Sequence, residues 1–557
     1  MKKIFLPIVV CLATAMSANA VDAGNANIYA SGLKVSESGN SVQFIANAPG
    51  TATIKFYKAG EQVLKIEGKE VIKGVNVVDL AYIFPETVKA GDELTWDVTL
   101  KADANESIKG FSTYASKVAE LSNGGSVTAE IWTNAGTEVA DAQKMEFPYS
   151  IAVDNNPTSP NFGNIYVLND AGQSYGSIER ESGLYVYDSN LNLLNTTPYT
   201  EGLSMRGAYF GENSKVYVPV SPYAVTVDEE GYVFISDNSG YNKEGGIYVA
   251  SPKDVSKFTK LIPTVSGIYY QDLAVTGKGE NKTLWVLNET GSKLLKYVIG
   301  DMTAENHTAE EVCTLTSGST FVAGGNASNS FDTYPARMCS DKQGGFWVLT
   351  GNQSTLATGN YWLNHVNAEG VMDYGGGKGK NDEVDGYLAT SDSNFNLYKK
   401  IYDIDTNSDG SVMTIAIAGT IVSFDVTYGN NVTTTTIVQR GNYIKGADET
   451  TSPYGIEGNS LHPVTTGVAY DTTDNLYVTD LSGYFQAFAL PKADNSYTTA
   501  ANDKLVVTGG LLTGVESTIA DENAPVEYFN MQGVKVNAPE NGIFIKKQAG
   551  KTSKVIL

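Results

Sequence analysis

The sequence predicts an all-β protein: an N-terminal β-sandwich, a β-propeller of six or seven blades, and a small C-terminal β-module. Three observations predict it. The chain carries 56 glycines and 33 tyrosines in 557 residues, a usage that suits many short strands joined by tight turns. Its first hundred residues alternate apolar and polar with period two. Its middle repeats a strand–turn–strand unit six times, at intervals of roughly 60 residues, as an array of four-stranded blades would.

The first segment is read apart from the fold. Lys2 and Lys3 precede an apolar run from Ile4 to Ala15, and Ala18-Asn19-Ala20 has small residues where a signal peptidase cuts. Residues 1–20 therefore read as a secretory signal peptide. The run is too short to span a bilayer, and no later stretch is long and apolar enough to do so. An exported protein, placed at the outer-membrane surface or outside the cell, is the expectation.

Charge narrows the partners. There are 62 acidic against 39 basic residues, a formal net charge of −23, and cleavage would remove two of the lysines. Such a surface repels nucleic acid and anionic lipid. Cleavage would also remove Cys11 and leave Cys313 and Cys339, which either pair or stay as two separate buried thiols. Neither has zinc-site spacing.

Residues 21–104 read as the sandwich. Val42–Ile45, Ala52–Tyr57, Val63–Ile66 and Leu94–Val98 alternate in and out, with Gly and Asn breaking between them. Ala52–Tyr57, Gly74–Val78 and Gly91–Val98 together resemble the immunoglobulin-like module of bacterial surface proteins. That resemblance implies a spacer or docking unit. Residues 105–125 read as a linker.

Residues 126–512 read as the propeller. Each unit is a strand that ends in Asp or another polar residue, a turn, and an apolar strand. Ser150–Asp154 leads to Gly163–Leu168, and Ala224–Asp228 to Gly231–Ile235. Asp272–Thr276 leads to Leu284–Leu287, and Arg337–Asp341 to Gly345–Leu349. Lys400–Asp405 leads to Gly410–Ile415, and Gly467–Asp471 to Asn475–Thr479. The second strands centre on Tyr166, Phe234, Trp285, Trp347, Met413 and Tyr477. Six units make six blades, and stretches near Lys215–Val218 and Val127–Trp132 leave room for a seventh. The phrase running from Pro148 to Asp154, and again from Pro222 to Asp228, followed by Gly-x-apolar-aromatic-Val, resembles the NHL, YncE and SMP-30 propeller superfamily. The resemblance implies the fold and leaves activity open.

Residues 513–557 close the chain. Val526–Val536, Asn541–Lys547 and Lys554–Leu557 resemble the C-terminal sorting domain of the Bacteroidetes type IX secretion system. That resemblance implies that the secretion machinery reads this module.

Candidate chemistry is sparse. Asp405, Asn407 and Asp409 alternate like calcium ligands, but Ala416 stands where an EF-hand needs a bidentate Glu, so a polar turn is the simpler reading. Gly375–Lys380 lacks phosphate-loop spacing. His307, His365 and His462 fall in different units, and no Ser/His/Asp or Cys/His set shows itself. The residues just before the inner strands ring the channel mouth of a propeller. Here they are Phe147, Tyr149, Tyr223, Tyr269, Tyr270, Tyr334, Arg337, Lys400 and His462. Aromatic faces mixed with cations suit a glycan, peptide or protein ligand. The expectation is a non-catalytic binding protein with no cofactor. A lactonase- or lyase-type propeller enzyme with a divalent metal is the alternative.

Overall fold

A computed structural model gives the architecture. It describes residues 26–104, 116–120, 148–169, 183–203, 210–211, 214–215, 224–237, 245–263, 270–288, 293–300, 302, 310–316, 337–351, 360–368, 372–374, 387–389, 401–417, 420–429, 435–444, 465–480, 484–512, 526–530, 535–537, 543–548 and 551–556. Apart from short 3-10 turns, every regular element among them is a strand.

Six antiparallel sheets stand around one axis. Blade 1 holds Pro148–Val153, Ile165–Asn169 and Gly183–Tyr187. Blade 2 holds Ala224–Val227, Val233–Asp237, Gly246–Ser251 and Asp254–Pro263. Blade 3 holds Tyr270–Thr276, Thr283–Asn288, Lys293–Val298 and Glu310–Thr316. Blade 4 holds Arg337–Ser340, Phe346–Gly351, Asn360–Val366 and Met372–Tyr374, with Tyr387–Ala389 on the same edge. Blade 5 holds Ile401–Thr406, Val412–Ile417, Thr420–Thr427 and Thr436–Ile444. Blade 6 holds Thr465–Tyr470, Asn475–Asp480 and Tyr484–Ala489. The first strand of each blade lies innermost, and each inner strand packs beside the next until blade 6 meets blade 1. The six repeats read in the sequence are these six blades. Ser214–Lys215 forms a two-residue ladder with Phe210–Gly211 and starts no seventh blade among the described residues. Val127–Trp132 lies outside them.

Blade 6 takes its outermost strand from the other side of the propeller sequence. Ser116–Glu120 pairs antiparallel with Tyr484–Ala489, Ala119 opposite Ala487. The sequence reading had these residues in a linker. They close the ring instead, which joins the two ends of the propeller segment by main-chain hydrogen bonds.

The strands are apolar on both faces because each blade is covered on both sides. Every pair of neighbouring blades shares its own buried cluster. Tyr166, Phe234, Trp285, Trp347, Met413 and Tyr477 are all buried there. The cluster between blades 6 and 1 runs on into the core of the sandwich.

In blades 1, 2, 4, 5 and 6 the turn after the inner strand is held by a polar side chain at its start, which in blade 5 is Asn407, two residues past the Asp405 that ends the repeat. Asp154 Oδ1 accepts from Asn156 N. Asp228 Oδ1 accepts from Glu230 N and Tyr232 N, and Asp341 Oδ1 from Gln343 N and Gly345 N. Asn407 Oδ1 accepts from Val412 N, and Asp471 Oδ1 from Thr473 N and Asn475 N. A short side chain caps main-chain donors that would otherwise be buried unpaired. The Asp signature is therefore a folding device.

The sandwich packs Ala30–Val35, Ser41–Ala46 and Gly74–Asp79 against Gly50–Lys58, Glu61–Val71 and Glu93–Lys101. Both Ser496–Ala500 and Leu505–Val506 pair with Glu93–Lys101. The sequence reading kept these residues in the propeller, but the chain returns to the sandwich after blade 6. Asn27 seals the junction: its amide N donates to Leu490 O, and its main-chain N bonds Asn475 Oδ1. Tyr29 packs edge-on against Phe162. All these propeller residues lie at the end where inner strands finish. The sandwich thus covers the turn face over blades 1 and 6 and leaves the face where inner strands begin.

The last residues form a separate four-stranded antiparallel sheet, ordered Lys535–Val536, Glu527–Phe529, Ile543–Gln548, Lys551–Ile556.

Candidate functional site

The channel is built in tiers because the six inner strands share one register. Four residues before each turn residue stand Ser150, Ala224, Asp272, Arg337, Asp403 and Gly467, all in the inner strands. Gly467 is needed here. A Cβ at this position would come within 2.7 Å of Ile151 Cγ2 and 2.6 Å of Thr479 Oγ1.

This tier carries the polar chemistry. Arg337 is 2% exposed, and Asp272 and Asp403 are buried. The two carboxylates occupy matching places on blades 3 and 5, each just past a bulge in its strand. Each staples its own strand to the next blade. Asp272 Oδ1 accepts from Leu273 N at 2.8 Å and Oδ2 from Met338 N at 3.0 Å. Asp403 Oδ1 accepts from Ile404 N at 2.9 Å and Oδ2 from Val468 N at 3.0 Å. Ser150 does the same for blade 2, through Val225 N.

Burial pushes the Asp272 carboxyl up to about 6, with the Arg337 charge pulling the other way. Burial pushes Asp403 well up, and the charge on Asp272 adds to it against Arg337. Both acids are thus coupled to the guanidinium between them.

The next tier, two residues deeper, holds Ala152, Thr226, Ala274, Cys339, Asp405 and Ala469. Asp405 Oδ2 accepts from Tyr470 N at 2.7 Å, and Lys342 Nζ lies 3.8 Å from Oδ1. Burial raises the Cys339 thiol far above its ordinary range, and Asp405 adds to that. Cys339 is a free, buried thiol. It sits on the inner strand of blade 4, whereas Cys313 is on the outer strand of blade 3. Melting should therefore ignore reductant, and a thiol reagent should modify Cys339 only as fast as the protein opens. A melting point that drops under reductant would contradict this arrangement.

The sequence-predicted rim divides. Tyr149 lies at the start of the blade 1 inner strand. Tyr270 starts that of blade 3, but its side chain is 1% exposed and packs in the core between blades 2 and 3. Its hydroxyl bonds Pro263 O at 3.3 Å. The bulge after Tyr270 turns the ring into the blade interface, so it offers no open stacking face. Phe147, Tyr223, Tyr269, Tyr334, Lys400 and His462 lie outside the described residues, as do His307 and the glycine run 375–380.

The calcium-like motif does not converge. Asp405 faces the channel, whereas Asn407 and Asp409 cap the turn through Val412 N and Ser411 N. No group of three or more metal-ligating His, Cys, Asp or Glu side chains forms among the described residues. His365 is buried inside blade 4, with Nε2 2.8 Å from Asp341 Oδ2 and its ring against Trp347.

Sequence reasoning missed Asp272 and Asp403 as site residues. The signal was partial: counting back four from the last residue of the repeat places Asp272 in one ring with Arg337, and Asp403 joins them once the turn of blade 5 is set at Asn407 and not at Asp405.

No protein-family model matches the chain, and no curated protein matches it. Among solved structures it is similar to an auxiliary nutrient binding protein from Bacteroides ovatus, at 11% identity and TM-score 0.36, over 82% of this chain and 95% of that one. A protein of the same description from Bacteroides thetaiotaomicron gives 11% and 0.37 over the same shares. A gluconolactonase from Xanthomonas campestris gives 10% and 0.28, over 46% of this chain and 65% of that one. Likeness at this level assigns no chemistry. The class of protein is defined by the sheets themselves: a six-bladed β-propeller closed by a strand from before its first blade.

Proposed function

We propose that this is an exported, non-catalytic binding protein that takes a glycan, peptide or protein ligand at the channel mouth opposite the sandwich. One observation carries the reading. The sandwich occupies the turn face, and the channel behind the opposite face has a buried polar floor of Arg337 with Asp272 and Asp403. Concave sites with a few convergent polar groups are where ligands bind. The carboxylates are committed to main-chain donors of the neighbouring blades, which suits a rigid recognition floor better than a proton-transfer pair. Export rests on the N-terminal segment, and delivery to the surface on the type IX-like module. The immunoglobulin-like sandwich then acts as the spacer.

Arrays of glycans and peptides, probed with the mature chain with calcium or with chelator, test this. Binding is expected in both conditions and should weaken several-fold in Tyr149→Ala, which removes a stacking face. Turnover of a lactone or of a bound glycan, lost on chelation, would replace this reading with the metal-enzyme one.

A further inference from the structure

The turn aspartates use their second carboxyl oxygen in different ways. Asp154 Oδ2 accepts from Ser159 Oγ, Asp341 Oδ2 meets His365, and Asp471 Oδ2 accepts from Asn475 and Tyr477. Of the four turn carboxylates, Asp228 alone meets an amine among the described residues. Lys282, at the start of the second strand of blade 3, places Nζ on Asp228 Oδ2. The two side chains are 0% and 1% exposed.

Three further features surround this pair. Glu230 Oε2 lies 2.8 Å from the same Nζ and is itself fixed by Gly279 N at 3.1 Å. Asp228 Oδ1 accepts two main-chain hydrogen bonds, from Glu230 N and Tyr232 N, both at 2.9 Å. The Tyr232 ring stands 4.4 Å from the amine. A nucleophile, a carbonyl oxygen in a two-donor cradle and a second carboxylate are thus assembled, the first two buried and the third reaching the surface.

We propose that Lys282 and Asp228 condense to a covalent amide that ties blade 2 to blade 3. The step needs no oxidant and no partner molecule. Neutral Lys282 Nζ attacks Cγ of the protonated Asp228 carboxyl and forms the C–N bond. The Oδ1 oxyanion of the tetrahedral species is held by the two main-chain N–H groups. Glu230 takes a proton from the nitrogen and passes it to Oδ2, which leaves as one water. Glu230 is 35% exposed, so the water has a way out. Burial favours the protonated form of the Asp228 carboxyl. The charged pair would bear a desolvation cost that an amide does not. For a chain working outside the cell, such a bond holds a seam of the ring at any redox state.

Tryptic digestion and tandem mass spectrometry of the mature protein test it, since the digest reads the bond whether or not a variant is stable. The expected result is one branched peptide joining the segments around Asp228 and Lys282. It should be lighter than the two by one water, with no cleavage after Lys282. Lys282→Arg should release two linear peptides, and Glu230→Gln should leave most of the chain unlinked. Linear peptides from the native protein, cut after Lys282, would overturn the proposal and leave a buried ion pair. Full linkage in Glu230→Gln would overturn the assigned role of Glu230.

Discussion

Replacing Arg337 by Met is expected to cost about 3–5 kcal/mol of folding stability at pH 8, and much less at pH 5. The side chain is buried between two buried carboxylates whose acidity it supports. Without it, two negative charges face each other in a region where the solvent cannot screen them. The sign follows from the shifts. Both acids have folded-state values raised above those of the unfolded chain, so the folded state keeps protons that the unfolded chain has given up. Their contribution to stability is full at pH below about 4 and is lost as pH rises through the folded value, near 6 for Asp272, with Asp403 also raised by its burial. Removing Arg337 raises both values further and deepens that loss. Urea melts of Arg337→Met at the two pH values measure it. An equal loss at both would mean that Arg337 matters for packing and not for charge.

Disrupting the closing strand is the second large effect. Deleting Ser116–Glu120 should destabilise the protein by about 2–6 kcal/mol, through loss of a four-position ladder at roughly 0.5–1.5 kcal/mol per net hydrogen bond. The edge of Tyr484–Ala489 would also be left open to pairing between molecules. Calorimetry should show a lower melting point, and light scattering should show aggregation. The converse also follows. Ala119→Cys with Ala487→Cys places two thiols directly opposite each other, and oxidation should raise the melting point. A ring that melts unchanged without Ser116–Glu120 would show that the buried seam between blades 6 and 1 closes it alone.

Much of this fold was legible because the repeat carries its own explanation. Five of the six inner strands lead into a residue that caps the turn, and the second strands are apolar on both faces, so one phrase reports both turn and burial. Ser116–Glu120 was not legible. Five residues with no repeat signature find their partner more than 360 positions away, and only the geometry of ring closure selects them. Ser496–Ala500 was missed for a related reason: its alternation fits a blade edge as well as a sandwich edge. The site was half legible. Arg337 was found as a residue at the start of an inner strand. Asp272 and Asp403 were hidden because they read as ordinary strand positions until the six strands are set in one register. Tyr270 looked like a rim residue from its place in the chain, and the bulge beside it turned it inward.

The central claim is that ligand enters at the face where the inner strands begin. Hydrogen–deuterium exchange, with and without a ligand found on the arrays, tests it most directly. Protection is predicted in peptides that contain the starts of the inner strands, around Tyr149, Tyr270, Arg337 and Thr465, with the turn segments around Asp154 and Asp471 unchanged. Protection confined to the sandwich strands, or to the outer strands of the blades, would contradict the account.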